Sequence, residues 1–202
     1  MTTIKLPQAG GTLAPFTPRA AVTWPTPAGT PRWNRIAFAA AHVVADPRAA
    51  IDPWLQTAVD WDTTLAFRRH LWSHGFGVAE AMDTAQRGMG LDWPTSLELI
   101  RRSVNEARGI PGATIFSGAG TDHLPPGAMC TLDNVIAAYE EQCAAIEAAG
   151  GRIILMASRA LAACARSPDD YARVYGRVLA QVRAPVILHW LGEMFDPALA
   201  GY

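Results

Sequence analysis

Lysine is almost absent from this chain, and arginine supplies nearly all of the positive charge. Of the 17 basic residues among 202, all but Lys5 are arginine. A mechanism that needs a reactive lysine therefore has a single candidate here, and it lies near the amino terminus. The 18 acidic residues balance the basic ones, and a formal net charge of −1 argues against a protein that binds nucleic acid by neutralising phosphates.

Cysteine is also scarce, and long apolar runs are missing. The three cysteines are Cys130, Cys143 and Cys164, without a Cys-x-x-Cys spacing, which is typical of reduced thiols rather than of a disulfide framework. The most apolar stretch, residues 36–44, is far shorter than the ~20 residues that cross a bilayer. The first 34 residues carry many prolines and no apolar core of a secretory signal. We therefore expect a soluble cytoplasmic protein with no membrane partner.

Half of the residues are apolar, which is enough for one domain with a sizeable core. Residues 1–34 are rich in proline, threonine and glycine, and their two apolar stretches, 2–6 and 20–24, are predicted to form a short hairpin. Residues 35–202 are predicted to form the main domain.

Residues 35–202 alternate between apolar runs and helix-start signals. The runs are short, as expected for buried strands of a parallel sheet, and lie at residues 35–44, 76–81, 113–117, 152–157 and 185–190. Each run is followed by a capping residue, often with proline beside it, and these signals are Asp52-Pro53, Asp92, Thr131, Ser167-Pro168 and Asp196-Pro197. The chain is therefore predicted to be α/β, with a strand followed by a helix five times.

Two architectures fit this alternation. The first is a (β/α)8 TIM barrel, of which about five βα units are present. The second is an open doubly wound sheet of five parallel strands. The helix signal at Asp196 leaves no room for a fifth helix before Tyr202, which favours an incomplete barrel and hence an N-terminal fragment.

Polar side chains gather where the apolar runs end. In both architectures ligands bind beyond the carboxyl ends of parallel strands, so these residues are the candidates for a functional site. In chain order they include His42, Asp46, Glu80, Asp83, Thr84, Gln86, Arg87, Thr121, Asp122, His123, Ser158, Arg159, His189 and Glu193. Asp83 and Glu80 are candidate acids or bases, and the alternative for Glu80 is a structural ion pair with Arg87 or Arg159.

Two of these residues give sharper signals than the rest. His189 closes a buried strand, where an imidazole serves either proton transfer or a hydrogen bond in the core. Arg159 is either a clamp for a carboxylate or phosphate, or one member of a surface ion pair.

The strand order and the loop contents resemble the first five units of the dihydrodipicolinate synthase / N-acetylneuraminate lyase superfamily, and more closely an uncharacterised dihydrodipicolinate-synthase-like branch. The resemblance covers residues 35–202. Thr84 lies in the turn 81–86, where the family has a Gly-Thr-Thr-Gly-Glu-type turn, and residues 117–121 are similar to its glycine-rich third strand end. The sequence His189-Trp190-Leu191-Gly192 replaces a Tyr-Asn-x-Pro motif whose tyrosine relays protons.

This resemblance implies a carbon–carbon lyase or aldolase that acts on a 2-keto acid, or on a related carbonyl or carboxylate substrate, without a cofactor. The resemblance makes His189 the proton relay. His189 and the candidate acid or base Asp83 are therefore the predicted catalytic residues. The predicted substrate-binding residues are Thr84, Gln86, Thr121 and Arg159. Since the family's imine-forming lysine comes from the sixth strand, we expect it beyond residue 202.

Two other functions stay open at this stage. A divalent-metal-dependent barrel isomerase or aldolase could take oxygen and nitrogen ligands from Glu80, Asp122, His123 and Glu193. A non-catalytic α/β module could instead bind a small ligand at the same loops. A homo-oligomer is compatible with each hypothesis.

Overall fold

The structure, a computed structural model, describes residues 3–23, 29, 31, 33–124 and 130–202. The chain divides into two compact units, Met1–Pro31 and Arg32–Tyr202. In the first unit, β1 (Ile4–Pro7) pairs with β2 (Leu13–Phe16) as an antiparallel hairpin. The second strand lies at Leu13–Phe16 rather than at residues 20–24, of which residue 24 is outside the described residues. Gly10 and Gly11 allow the tight turn because both adopt positive φ angles, 88° and 78°.

The second unit contains five parallel strands arranged in chain order. Every neighbouring pair is parallel, and the strands are β3 (Phe38–Ala40), β4 (Gly77–Glu80), β5 (Ile115–Ala119), β6 (Arg152–Met156) and β7 (Ile187–His189). A doubly wound sheet reverses its strand order at a switch point, whereas a (β/α)8 barrel keeps the strands consecutive. The doubly wound alternative is therefore wrong, and the sheet is a curled half-barrel.

In the part of the chain that the structure describes, five α-helices connect these strands or cover them. Their bounds are α1 (Trp61–Ser73), α2 (Trp93–Arg108), α3 (Leu132–Ala148), α4 (Arg159–Cys164) and α5 (Pro168–Leu179). The predicted start of α2 is confirmed, because the Asp92 carboxylate accepts a hydrogen bond from the Thr95 amide at 2.9 Å. The predicted starts of α3 and α5 are also confirmed, at Thr131 and at Ser167. Asp196 caps only a short 3-10 helix, Pro197–Leu199.

The predicted start of the first helix at Asp52-Pro53 is wrong. The Asp52 side chain accepts instead from the amide of Trp54 at 2.9 Å and closes a local turn. An isolated antiparallel bridge then joins Ala45 and Val59 directly before α1. Asp60 provides the cap, since its carboxylate accepts from the Thr63 amide at 3.0 Å.

The core has two layers, one on each face of the sheet. On the inner face, a small apolar cluster lies inside the curve of the half-barrel and consists of Ala79, Met82, Phe116, Ile154 and Met156. The outer face packs on the helices through a larger cluster that includes Ile153 and Leu155. Among the described residues, none of the helices has the length and apolar character needed to cross a bilayer.

Candidate functional site

A cavity of about 730 Å³ opens at the carboxyl ends of β4, β5 and β6. We call it the rim cavity, and its polar lining residues are Asp83, Arg87, Thr121, Asp122, Asn134, Arg159 and Asp196. Its apolar wall includes Met156, Leu191, Phe195 and Leu199. Barrel enzymes bind substrates at this end of the strands, so the rim cavity is the candidate site.

Arg87 is the centre of a hydrogen-bond network beneath the rim cavity. Its side chain is 1% exposed, and Nη2 lies 2.8 Å from Oδ1 of Asp122. Nη1 donates to the carbonyl oxygens of Ala81, at 3.2 Å, and Gly118. Gln142 completes the network, because its Oε1 accepts from Arg87 and its Nε2 donates to Asp122 at 3.2 Å. One buried guanidinium therefore ties the ends of β4 and β5 to helix α3.

This network also fixes the charge of Asp122. Burial alone would raise the pKa of its carboxyl group, but the positive charge of Arg87 and the hydrogen bonds from Arg87 and Gln142 outweigh burial. The net effect is a pKa below the usual range, so Asp122 is a carboxylate at neutral pH. Its negative charge balances Arg87 and is not free to act as a proton acceptor.

The turn after β4 has an unusual backbone. Ala81 and Gln86 are non-glycine residues with φ angles of 53° and 61°, a region that costs such residues roughly 1–2 kcal/mol. Two buried contacts hold Ala81 there, since its amide donates to the Glu80 carboxylate at 2.9 Å and its carbonyl accepts from Arg87. Positive φ angles at non-glycine residues often occur at functional sites, which is consistent with the place of this turn beside the rim cavity.

Glycine is required where β5 approaches this turn. A Cβ atom on Gly118 would lie 2.8 Å from the carbonyl oxygen of Ala81 and 2.6 Å from the sulfur of Met156. The close approach brings the carbonyl of Gly118 within reach of Arg87. The glycine in the sequence at this position therefore reflects packing against the turn.

Two hydroxyl groups lie at the ends of β5 and β6. Thr121 Oγ1 and Ser158 Oγ are 2.6 Å apart, and both side chains are buried. Ser158 also begins α4, because its hydroxyl accepts from the Leu161 amide at 3.0 Å. Thr121 is thereby held in the wall of the rim cavity.

Arg159 is the charged side chain with the most freedom in the rim cavity. Its side chain is 51% exposed, and its Nε donates to Asp196, so the surface ion pair considered from the sequence is present. The backbone amide of Ala198 and then Arg159 hold the pKa of Asp196 below its usual value. Within the described part of the chain, Nη1 and Nη2 of Arg159 make no hydrogen bond, so both remain available to an anion.

Of the six predicted catalytic and substrate-binding residues, three come together in the rim cavity, namely Asp83, Thr121 and Arg159, and the further candidates Arg87 and Asp122 also line it. Thr84 and Gln86 lie in the turn beside it but do not line it.

His189 lines a second cavity of about 640 Å³, on the side of β7 that faces α5 and Tyr202. It pairs in register with Met156, a residue of the rim cavity wall, and its Nδ1 is buried without a partner in the described residues.

Glu80 is part of a structural ion pair, but with neither of the partners predicted from the sequence. Arg68 on α1 binds it through two bonds of 2.8 Å, and both side chains are 0% exposed.

The four residues of the metal hypothesis are not brought together, since Asp122 binds Arg87 while His123 lies 3.3 Å from Glu141. In the described ranges, no three His, Cys, Asp or Glu side chains are grouped in a way that could hold a metal ion.

Sequence reasoning missed Arg68 and Gln142. Both are polar residues on the buried faces of helices. On α3, Gln142 interrupts the apolar series formed by Tyr139, Cys143 and Ile146. A polar residue within a buried helical face must have a partner, and that pattern was the available signal.

The fold and the position of the cavity place the chain in the class of (β/α) barrel proteins, as part of such a barrel. Three of the similar solved structures are dihydrodipicolinate synthase, with a TM-score of 0.57 and 14% identity, a dihydrodipicolinate synthase from Bacillus clausii, with 0.54 and 13%, and the 4-hydroxy-tetrahydrodipicolinate synthase from Methylacidiphilum fumariolicum SolV, with 0.53 and 13%. The matches cover 78%, 82% and 78% of this chain and 46%, 47% and 45% of those chains.

At these identities the likeness shows the fold alone, and the chain spans about half the length of the structures that it matches. Residues 4–202 match the family described as "Protein of unknown function (DUF993)", and the chain belongs to that family. No curated protein matches the chain.

Proposed function

We propose that the protein is a carbon–carbon lyase or aldolase of the dihydrodipicolinate-synthase-like type, acting on a 2-keto acid or a related carbonyl compound. The observation that carries the proposal is the rim cavity, where Asp83, Thr121 and Arg159 line one space at the strand ends. The three similar structures are synthases of this kind by name, which supports the proposed reaction class.

Arg159 and Thr121 bind the carboxylate in this proposal. The guanidinium group of Arg159 is planar, and its Nη1 and Nη2 would donate two parallel hydrogen bonds to the two oxygens of a carboxylate. Thr121, another lining residue of the rim cavity, adds a hydroxyl group. Thr84 and Gln86, the other predicted substrate-binding residues, lie in the turn beside the rim cavity and are given no contact with the substrate.

Asp83 transfers protons to and from the substrate in this proposal, because it is the predicted catalytic residue that lines the rim cavity. His189, the other predicted catalytic residue, lines the second cavity instead and is given no step on a substrate in the rim cavity. When an amine adds to a substrate carbonyl, the carbinolamine must lose water to become an imine, and a side chain must give and take the protons. Lys5 is the only lysine in the sequence given, so this proposal takes the amine from a lysine expected beyond residue 202.

A carboxylate-binding experiment tests the proposal. Pyruvate is titrated into the protein by calorimetry, and Arg159→Gln is expected to weaken binding roughly 10- to 100-fold, because a hydrogen bond to a charged group contributes about 1.5–3 kcal/mol. Arg173→Gln is the matched control, since Arg173 is also a half-exposed arginine in a surface ion pair, with Asp133. Equal affinity of wild type and Arg159→Gln for pyruvate and for longer 2-keto acids contradicts the proposed site.

The imine is tested in a form of the protein that extends past residue 202. Borohydride added together with pyruvate is expected to fix the ligand to a lysine after residue 202, as located by peptide mass spectrometry. Asp83→Asn is expected to slow this trapping while leaving pyruvate affinity close to that of wild type. An adduct on Lys5 alone contradicts the proposed mechanism.

A further inference from the structure

Two histidines lie side by side at the carboxyl end of α1. His70 belongs to the last turn of the helix and His74 follows its last residue, so the two are four residues apart. Their ring centroids are 4.4 Å apart and the ring planes make an angle of 44°. Residues with this spacing share one face of a helix, and neither histidine lines the rim cavity or the cavity beside β7.

Ser73 determines which nitrogen of His74 carries its proton. The Ser73 hydroxyl lies 2.7 Å from the carbonyl oxygen of His70, which can only accept, so the hydroxyl donates its one hydrogen there. The same hydroxyl oxygen lies 3.3 Å from Nδ1 of His74 and must therefore accept from an Nδ1–H group. Nε2 of His74 is then the unprotonated nitrogen, and its lone pair is available to a metal ion.

The backbone around His74 is held in place by two aromatic side chains. Nε1 of Trp33 donates to the carbonyl oxygen of His74 at 2.9 Å, and the Trp33 ring stacks on Phe76 with centroids 5.5 Å apart. The amide of His74 donates to the carbonyl of Leu71 at 3.1 Å. The imidazole of His74 is thus attached to a fixed part of the backbone rather than to a frayed helix end.

We propose that His70 and His74 form a binding site for a borderline transition-metal ion, with Cu²⁺ bound more tightly than Zn²⁺. Two imidazoles four residues apart on a helix are a recognised pair of metal ligands, and neutral nitrogen donors suit these ions. Ser73 acts as the outer partner that orients one ligand, as is usual for histidines bound to metals. The remaining coordination positions are filled by water.

The experiment is a titration of the purified protein with CuCl₂ or ZnCl₂ alone, followed by calorimetry and, for copper, by electron paramagnetic resonance. One high-affinity ion per chain is expected, with two nitrogen ligands in the copper spectrum. His70→Ala and His74→Ala are each expected to weaken this binding at least tenfold. Ser73→Ala is expected to weaken it by a smaller factor, because the ligands remain but the tautomer is no longer fixed.

Two controls separate the pair from the general effect of histidines. His42→Ala removes an exposed histidine elsewhere and is expected to leave the high-affinity ion in place. The double change Arg69→His with His70→Arg keeps the number of histidines but alters their spacing. This variant is expected to lose the high-affinity metal binding. A metal-dependent rise in the unfolding temperature of wild type that is absent from His74→Ala gives an independent readout. Tight binding that survives the spacing change, or no binding by wild type, overturns the proposal.

Discussion

Arg68 and Glu80 form a two-bond ion pair that is entirely removed from solvent. Both N–O distances are 2.8 Å, and both side chains are 0% exposed. Removing one charge leaves the other buried without a partner, so Glu80→Gln is expected to destabilise the fold by about 3–5 kcal/mol. Urea unfolding followed by circular dichroism measures this change.

The exposed pair Arg102–Glu98 is the matched control for that experiment. Its side chains are 43% and 41% exposed, and Glu98→Gln is expected to cost less than about 1 kcal/mol. The double change Arg68→Met with Glu80→Leu is expected to recover much of the loss, because no unpaired charge remains. A Glu80→Gln protein as stable as Glu98→Gln would show that the pair does not stabilise the half-barrel.

The pairing of Asp122 with Arg87 predicts a specific loss of stability in acid. The folded-state pKa of Asp122 is depressed, so its contribution is present above the unfolded value of about 3.9 and is lost as pH falls through the lower folded value. Between pH 6 and pH 3, the unfolding free energy of wild type is expected to fall more than that of Asp122→Asn. The control is Asp133→Asn, which removes a carboxylate from an exposed ion pair, and the pH dependence of its unfolding free energy should match that of wild type. If the pH dependence for Asp122→Asn also matched wild type, the depressed pKa of Asp122 would be contradicted.

Cys143 is predicted to be unreactive in the folded protein. Burial, followed by the charges of Glu147 and Glu140, raises the pKa of its thiol to about 12, whereas an unfolded cysteine has a pKa near 8.5. At pH 8, iodoacetamide is expected to modify the partly exposed Cys130 and to spare Cys143, with both modified in denaturant. Peptide mass spectrometry at timed intervals measures the two rates.

The same raised pKa has a consequence for alkaline stability. Because the folded state keeps the Cys143 proton while the unfolded state releases it, the stabilisation is complete below pH 8 and declines as pH rises towards 12. Burial likewise raises the pKa values of Tyr139 and Tyr175, which adds to the decline. Equal alkylation of Cys143 and Cys130 in the native protein would show that the thiol is not shielded.

Gln86 offers a change that is expected to stabilise the protein. It is exposed and has a φ angle of 61°, so the cost of roughly 1–2 kcal/mol for a non-glycine residue there exceeds the entropic cost of glycine, about 0.5–1 kcal/mol. Gln86→Gly is therefore expected to raise the unfolding free energy by up to about 1 kcal/mol. Gln86→Val should lower it, and a destabilised glycine variant would mean that the Gln86 side chain makes a contact of its own.

Local signals predicted the fold well where the controlling interactions are themselves local. The caps at Asp92 and Thr131 lie within three residues of the amides that they bind, so the sequence shows them directly. The start of α1 also has a local cap, since the Asp60 carboxylate accepts from the Thr63 amide at 3.0 Å, but the stronger-looking Asp52-Pro53 signal led the sequence prediction to the wrong residue. The short helix α4 was not expected at all.

The candidate site was predictable only in outline. The rule that parallel strands direct their carboxyl ends to one rim indicated Asp83, Thr121 and Arg159, which line one cavity. The partners of the buried charges were not predictable, because Arg68 and Gln142 reach their partners from helices. Such contacts depend on how each helix packs on the sheet, which periodicity alone does not determine.

The consecutive order of β3 to β7 bears on how the protein is made. Each strand of the half-barrel pairs with the one synthesised just before it, so no strand has to wait for a distant part of the polypeptide. Domains generally fold from the amino-terminal side during translation, so each strand meets a partner that has already been synthesised. The half-barrel is therefore suited to assembling one strand and helix at a time as it leaves the ribosome.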